Sequence, residues 1–322
     1  MDRISEITAR EDGEDGGGHP AVETHQGYAA PVANPEIVDL RAGEGEADHQ
    51  WYALPGHSPS VGLATIDAIR EEWRHRQAWH RAEKSLILQA KALCRRLAVE
   101  GDKAEADRIY RAVLGKGEHP MAAAAAVSIM PLDAARKVIA NSRKAAEKRL
   151  TGLAADLPVA PWVNATRGVG LLSLAAVIGE AGDLGGYANP AKLWKRMGLA
   201  VMPDGARQRR VGGIEAMAHG YNPARRSVVW NIGSCIVKAG GPLKAIYDAR
   251  KVVETAKCEA IASDPAELAR YTRGARYAPK LHAHNRAQRY VEKRFLRDLW
   301  SVWRRETGVR DAPPLRGPAA PD

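Results

Sequence analysis

Thr166-Arg167-Gly168-Val169-Gly170-Leu171-Leu172-Ser173-Leu174-Ala175-Ala176-Val177-Ile178-Gly179-Glu180 reads as a tight glycine turn that opens directly into an apolar helix. Gly168 and Gly170 flank one small apolar residue, and glycines there permit positive φ and close backbone approach. The helix that follows begins with bare N–H groups and the positive end of its dipole facing the turn. A phosphate suits that geometry. A hydrophobic-Gly-hydrophobic turn between two helices is the helix-hairpin-helix device for gripping a nucleic-acid backbone. The alternative use of the same turn is simply to pack two helices.

Upstream of this stretch, Leu157-Pro158 and Pro161-Trp162 break a preceding helix, expected from Leu132 to about Ala155. Its small or apolar positions are Leu132, Ala135, Ile139, Ser142, Ala146, Leu150 and Leu153, a three-four beat like a coiled-coil seam. The seam is short and partly polar, so its partner is either another helix of the chain or a second copy in a homo-oligomer. Further back, Ile66 to Val99 reads as one long helix with Ile66, Ile69, Trp73, Leu86, Ile87, Ala90, Leu93, Cys94 and Leu97 on its apolar stripe. Arg74, His75, Arg76, His80, Arg81 and Lys84 are expected to be solvated. A short helix over about 103–114 follows, and Pro120 and Pro131 bracket an alanine-rich segment.

Downstream, Asn189-Pro190 starts a helix to about Met197. Residues 199–221 read as loop, with Arg207, Arg209 and Arg210 beside Gly212-Gly213. Asn222 as cap and Pro223 as first residue start a helix through Val237, with Arg225 and Arg226 in its first turn. Gly240-Gly241-Pro242 breaks it, and a helix over about 243–257 follows. The last long helix, about His284 to Glu306, repeats Ala287, Val291, Phe295, Leu299 and Trp303 at every fourth residue. No stretch alternates like a strand. The expected fold class is all-α: a coiled-coil-like pair of long helices leads into a helical domain that contains the hairpin. The expected organisation is an acidic disordered leader (1–60), a long-helix region (61–157), a DNA-binding helical domain (158–308) and a Pro-rich disordered tail (309–322).

The charge is unevenly placed. The chain of 322 residues carries net +10, yet residues 1–50 hold 12 acidic and 3 basic side chains, leaving +19 on the rest. A body that basic favours a polyanion, nucleic acid ahead of an anionic membrane, although basic surface also serves plain solubility. The leader is either a solvated tail or a segment that folds back over a basic groove. Three scattered cysteines, Cys94, Cys235 and Cys258, show no metal-ligand spacing and point to a reducing, cytoplasmic setting. No run of 18 apolar residues suggests a membrane span. The acidic N-terminus resembles neither a signal nor a transit peptide.

No catalytic constellation stands out. His282 and His284 are two apart, which puts them on different faces of a helix and argues against a metal site. Carboxylates in the basic part are dispersed, and Asp183 reads as a cap or ion-pair partner. No metal or cofactor is therefore expected, and no catalytic residue is assigned. The candidate nucleic-acid contacts are Arg167, Gly168 and Gly170 on the hairpin, with Arg207, Arg209, Arg210, Arg225 and Arg226 beyond it. Arginine forks match phosphate oxygens and bind them in pairs of hydrogen bonds.

In order, the blocks GVGLLSLAAVIGEAGDL (168–184), KLWKRMGLA (192–200), GYNPARRSVVWNIGS (220–234), PLKAIYDARK (242–251) and RAQRYVEKRFLRDLWSVWR (286–304) resemble the C-terminal domain of the IS-one-ten (IS-nine-oh-two) family of insertion-sequence transposases. The resemblance covers about 140 residues, and the seam at 132–155 is similar to that family's coiled-coil linker. It implies a mobile-element protein that binds DNA, or structured RNA, and takes part in transposition and recombination. Two departures limit what it implies. The family's RuvC-like domain with its acidic metal ligands has no counterpart ahead of the linker. The family's nucleophilic serine belongs in the loop after Gly-Leu, and residues 199–222 contain no serine; Pro203-Asp204-Gly205-Ala206 stands about there. A serine recombinase needs that hydroxyl to form its covalent intermediate. The resemblance thus implies binding without strand cleavage by this chain alone. The alternatives are an active transposase completed by a partner domain, and a helical interaction protein with no nucleic acid.

Overall fold

The hairpin stretch becomes the centre of the molecule. The structure, a computed structural model, describes residues 62–203, 205–271 and 278–308. The expected acidic leader, the tail and Asp204 lie outside the described residues. Among those described, the fold is all-α, with one isolated antiparallel bridge, Val201 to Arg207. No described helix is long and apolar enough to cross a membrane.

Eleven α-helices are named here in chain order: α1 (Leu63–Leu97), α2 (Lys103–Val113), α3 (Ala122–Ala155), α4 (Ala160–Ala165), α5 (Leu171–Ala181), α6 (Pro190–Arg196), α7 (Glu215–His219), α8 (Pro223–Ala239), α9 (Pro242–Ser263), α10 (Pro265–Tyr271) and α11 (Pro279–Glu306). The apolar run that follows the glycines forms α5. Leu174, Ala175, Val177, Ile178 and Ala181 are fully buried there, because α5 packs against α1, α3, α4 and α8 at once. A helix apolar on all sides needs such a central place. Burying Leu174, Val177 and Ile178 contributes about 1.5–3 kcal/mol each.

Around α5 one continuous core runs from Ile66, Ile69 and Trp73 of α1, through Leu150, Ala154 and Leu157, to Phe295, Leu299 and Trp303 of α11. It crosses residue 157, so the start of α1 and the end of α3 share the core of the hairpin helices. The single Phe of the chain stacks on Trp162 at 6.0 Å. Trp indoles also bind at their polar edges, as buried tryptophans require. Trp303 Nε1 donates to Asp183 Oδ1 (2.9 Å), Trp300 Nε1 to the Tyr187 carbonyl and Trp73 Nε1 to Glu180 Oε1. Asp183 Oδ1 also accepts from the Gly185 amide, the cap role read from sequence.

α1 and α3 lie antiparallel within the chain, since Glu72 pairs with Arg149, Arg76 with Glu147 and Glu83 with Arg143. The helix expected from Leu132 begins instead at Ala122 and runs through Pro131. Proline removes the amide that would bond to the Val127 carbonyl, and both Val127 and Pro131 lie on the exposed side, where water can serve that carbonyl. Ala125 and Ile129 on the opposite side are buried, which holds the alanine-rich turns in the helix. The buried stripe of α3 is Ala125, Ile129, Asp133, Ala140, Ala146, Leu150 and Ala154. It shares only Ala146 and Leu150 with the expected seam, and it faces helices of the same chain. The α1–α3 middle is charged rather than apolar. Arg143 bonds Glu83 and Glu147 at 2.7 Å each, so Arg76, expected to be solvated, is part of an interhelical ladder through Glu147. Beyond the ladder, a second small core of Ala90, Cys94, Ile109, Tyr110, Ala125 and Ile129 closes the far end with α2.

Candidate nucleic-acid interface

Asn222 and Pro223 start α8 as their sequence predicts: Asn222 Oδ1 accepts from the Ala224 amide at 2.8 Å. The neighbouring arginines then diverge. Arg225 turns inward to Glu180 of α5, Nε to Oε2 3.5 Å. That carboxylate is already held by Trp73, so Arg225 ties α8 to the α1–α5 packing. Arg226 reaches α11 instead and pairs with Glu292 at 3.0 Å.

Glu292 is fully buried. Gly233 of α8 makes the room: a Cβ there would stand 2.7 Å from Glu292 Cγ and 2.8 Å from Oε1. Gln288, also buried, donates from Nε2 to Glu292 Oε1, to the Trp230 carbonyl and to Ser234 Oγ. Burial pushes the Glu292 carboxyl above the usual carboxylate range, against the pull of Arg226, Gln288 and Arg289. A buried acid without cations around it would stay neutral.

The cations around it outnumber it. Arg289, one turn before Lys293 on α11, lies within the field of Arg226, Glu292 and Arg207. It has no hydrogen-bond or close ion-pair partner among the described residues. Burial, then Arg226, lowers its guanidinium below its ordinary value, and burial followed by Arg289 does the same to Lys293. His282 is lowered by burial and then by Arg286 and Arg207. Arg226 NH1 is buried without a hydrogen-bond partner. Arg226 and Arg289 thus share the Glu292 carboxylate, and Arg207 and Lys293 add their charge beside Arg289, Lys293 with its Nζ over the Trp194 ring at 5.2 Å. Such a half-desolvated cationic surplus favours an incoming anion, because charge interactions strengthen as water is removed.

Arg207 is brought here by the loop after α6. Gln208 is buried and anchors that loop: its amide donates to the Ala200 carbonyl, its Oε1 accepts from the Ala200 amide, and its Nε2 donates to the Lys195 and His219 carbonyls. In an extended segment neighbours alternate sides, so Gln208 pointing inward leaves Arg207 and Arg209 outward, and both are exposed. Arg210 is exposed as well.

The hairpin residues lie at the other end of α8. Gly168 (φ +85°) rests on that helix: a Cβ would come within 2.8 Å of Ile236 Cα and 2.9 Å of the Cys235 carbonyl oxygen. Gly170 is exposed at the start of α5, with open space about it. Arg167 lays its aliphatic stem over Gly241 at the α8–α9 turn. Ten residues of helix separate Arg226 from Ile236, about 15 Å. The eight candidates therefore fall into four places, one of them the exposed loop surface that carries Arg209 and Arg210. Arg207 and Arg226 join the Glu292 cluster, Arg225 is an internal tie, and Arg167, Gly168 and Gly170 form a separate turn.

Arg289 and Lys293 were not singled out in the sequence. Their signal was present: His282, Arg286, Arg289 and Lys293 recur at four-three-four spacing, the face opposite Ala287, Val291 and Phe295. Among the described residues no group of three or more His, Cys, Asp or Glu side chains could hold a metal ion. Comparison with family models, with curated proteins and with solved structures returns no match to this chain.

Proposed function

We propose that this chain binds nucleic acid, as a relative of the C-terminal domain of the IS-one-ten transposases that holds DNA without cutting it by itself. The observation that carries this reading is a run of four cations, Arg207, Arg226, Arg289 and Lys293, that has Glu292, beside Arg226 and Arg289, as its one buried carboxylate. Arginine forks match phosphate oxygens, and about half to two-thirds of protein–DNA hydrogen bonds go to phosphate and sugar. The five-block resemblance supports the transposase relation. The absence of a serine at 199–222 supports the restriction to binding.

The double variant Arg207→Ala/Arg289→Ala tests it, because neither side chain holds a buried acid in a close pair. Fluorescence anisotropy of a labelled 30-base-pair duplex is measured from low to physiological salt. Wild type is expected to lose affinity steeply, since each neutralised phosphate releases counterions, with a slope near −0.9 per contact. The variant is expected to bind more weakly to all sequences and to lower that slope by about two. Binding by wild type that is insensitive to salt, or absent at low salt for both this duplex and a single strand of the same length, overturns the proposal.

A further inference from the structure

We infer that this surface takes unpaired nucleotides, with a base stacked on Trp230, rather than the closed grooves of a duplex; this rests on the nucleic-acid reading above. Trp79, Trp230 and Tyr290 are the large aromatic side chains exposed among the described residues. Tyr290 is covered by the Arg250 guanidinium at 4.9 Å, and Trp79 stands on α1, away from the cluster. Trp230 is 47% exposed, and among the described residues its ring has no aromatic stack or covering cation and its Nε1 no hydrogen bond. Five other tryptophans, Trp73, Trp162, Trp194, Trp300 and Trp303, are engaged by a ring stack or an indole hydrogen bond.

The placement of Trp230 is what gives it meaning. It lies one turn after Arg226 on α8, on the same side of the helix. Its carbonyl is bonded by Gln288, the residue before Arg289. That bond fixes the backbone of Trp230 against α11 while the indole stays outside. A flat, half-exposed ring with no stacking partner therefore stands one turn from Arg226, in a region with more cations than carboxylates. Duplex DNA keeps its base faces stacked on one another and offers such a ring nothing. A single strand offers a base face and a phosphate together, and binders of unpaired strands combine a basic track with aromatic platforms for this reason.

The test compares thirty-residue oligothymidylate, oligouridylate and a blunt duplex of the same length, at one salt concentration, with wild type, Trp230→Ala and Trp230→Phe. Wild type is expected to bind at least one single strand more tightly than the duplex. Trp230→Ala is expected to lose about tenfold or more on that strand and to leave the duplex nearly unchanged, and Trp230→Phe to restore most of the loss. The two oligonucleotides separate DNA from RNA as the source of the unpaired base. Equal binding of strand and duplex, or a Trp230→Ala protein that keeps its single-strand affinity, overturns the inference while leaving the nucleic-acid reading intact. Failure of every oligonucleotide to bind at low salt overturns both. Circular dichroism and thermal melting of each variant establish that folding is unchanged, as expected for an exposed ring.

Discussion

The two ends of α8 carry residues of the kind that contact phosphate, and they are built in opposite ways. At the C-terminal end, Gly168 lies with its Cα against the backbone of Ile236 and Cys235. The glycine there serves helix packing. At the N-terminal end, Arg226 and Arg289 lie beside Glu292, and Arg207 adds a further charge beside Arg289. A glycine turn and an arginine cluster look alike as phosphate signals in a sequence. They separate once contacts are known: Gly168 is taken up by packing, while Gly170 still opens α5 without a side-chain cap, and the arginine end adds cations in excess of its one buried carboxylate.

The sharpest way to break this comparison is Gly168→Ala. The new methyl meets backbone atoms at 2.8 and 2.9 Å, and φ +85° is strained for any residue with a Cβ. Strain and overpacking together are expected to cost about 4 kcal/mol, read as a lower midpoint in urea unfolding. Affinity per folded molecule for nucleic acid is expected to stay within about twofold, a difference worth roughly 0.4 kcal/mol. If instead the variant keeps its stability and loses binding, the hairpin is the contact and the comparison is reversed.

At the other end, Arg226→Ala is expected to cost about 2–3 kcal/mol, somewhat under a fully buried pair because Arg226 keeps some water contact. The loss comes from leaving a charged Glu292 without its close cation, with Gln288 and the more distant Arg289 still about it. Glu292 has a folded-state pKa above its unfolded value. Its contribution is therefore fully present below the unfolded pKa and is lost as pH rises through the folded one. Acidification should accordingly recover part of the stability of Arg226→Ala, and Glu292→Gln in the same chain should recover much of it at neutral pH. Urea melts across pH check both. A deficit of Arg226→Ala that does not change with pH would show that the pairing with Glu292 is not its cause.

These outcomes bear on what the sequence could reveal. The helical fold was legible because its signals are local: the four-residue recurrence from Ala287 to Trp303, the Asn222-Pro223 start of α8, and the all-apolar α5. Pro131 misled because local chemistry marks it as a breaker, whereas burial of Ala125 and Ile129 keeps the helix going. Within the candidate site, Arg225 and Arg226 were indistinguishable by sequence. Their fates depend on Glu180 and Glu292, which lie 45 residues upstream of the one and 66 residues downstream of the other. Arg289 and Lys293 were readable in principle, as a basic stripe on α11. Their importance depends on Arg226 and on the Gln208-anchored loop arriving beside them, which is tertiary information.

The smallest effect is expected on the outer face of α3. The beat from Leu132 to Leu153 left open a second chain as the partner. Within this chain Ala140, Ala146, Leu150 and Ala154 of α3 are buried on the side toward its neighbours, and Arg143 and Glu147 engage α1 across the ladder. A dimer through α3 would have to use the opposite side, where Val127, Met130 and Val138 are exposed. Those few apolar atoms are interrupted by Pro131 and flanked by the exposed Lys137 and Lys144, so two copies would bring like charges together with little area to compensate. Val138→Lys is therefore expected to change stability by less than about 0.5 kcal/mol and to leave the sedimentation coefficient where it was. A wild-type dimer that this variant converts to a monomer would show that α3 has two working faces, and that the ladder to α1 occupies only one of them.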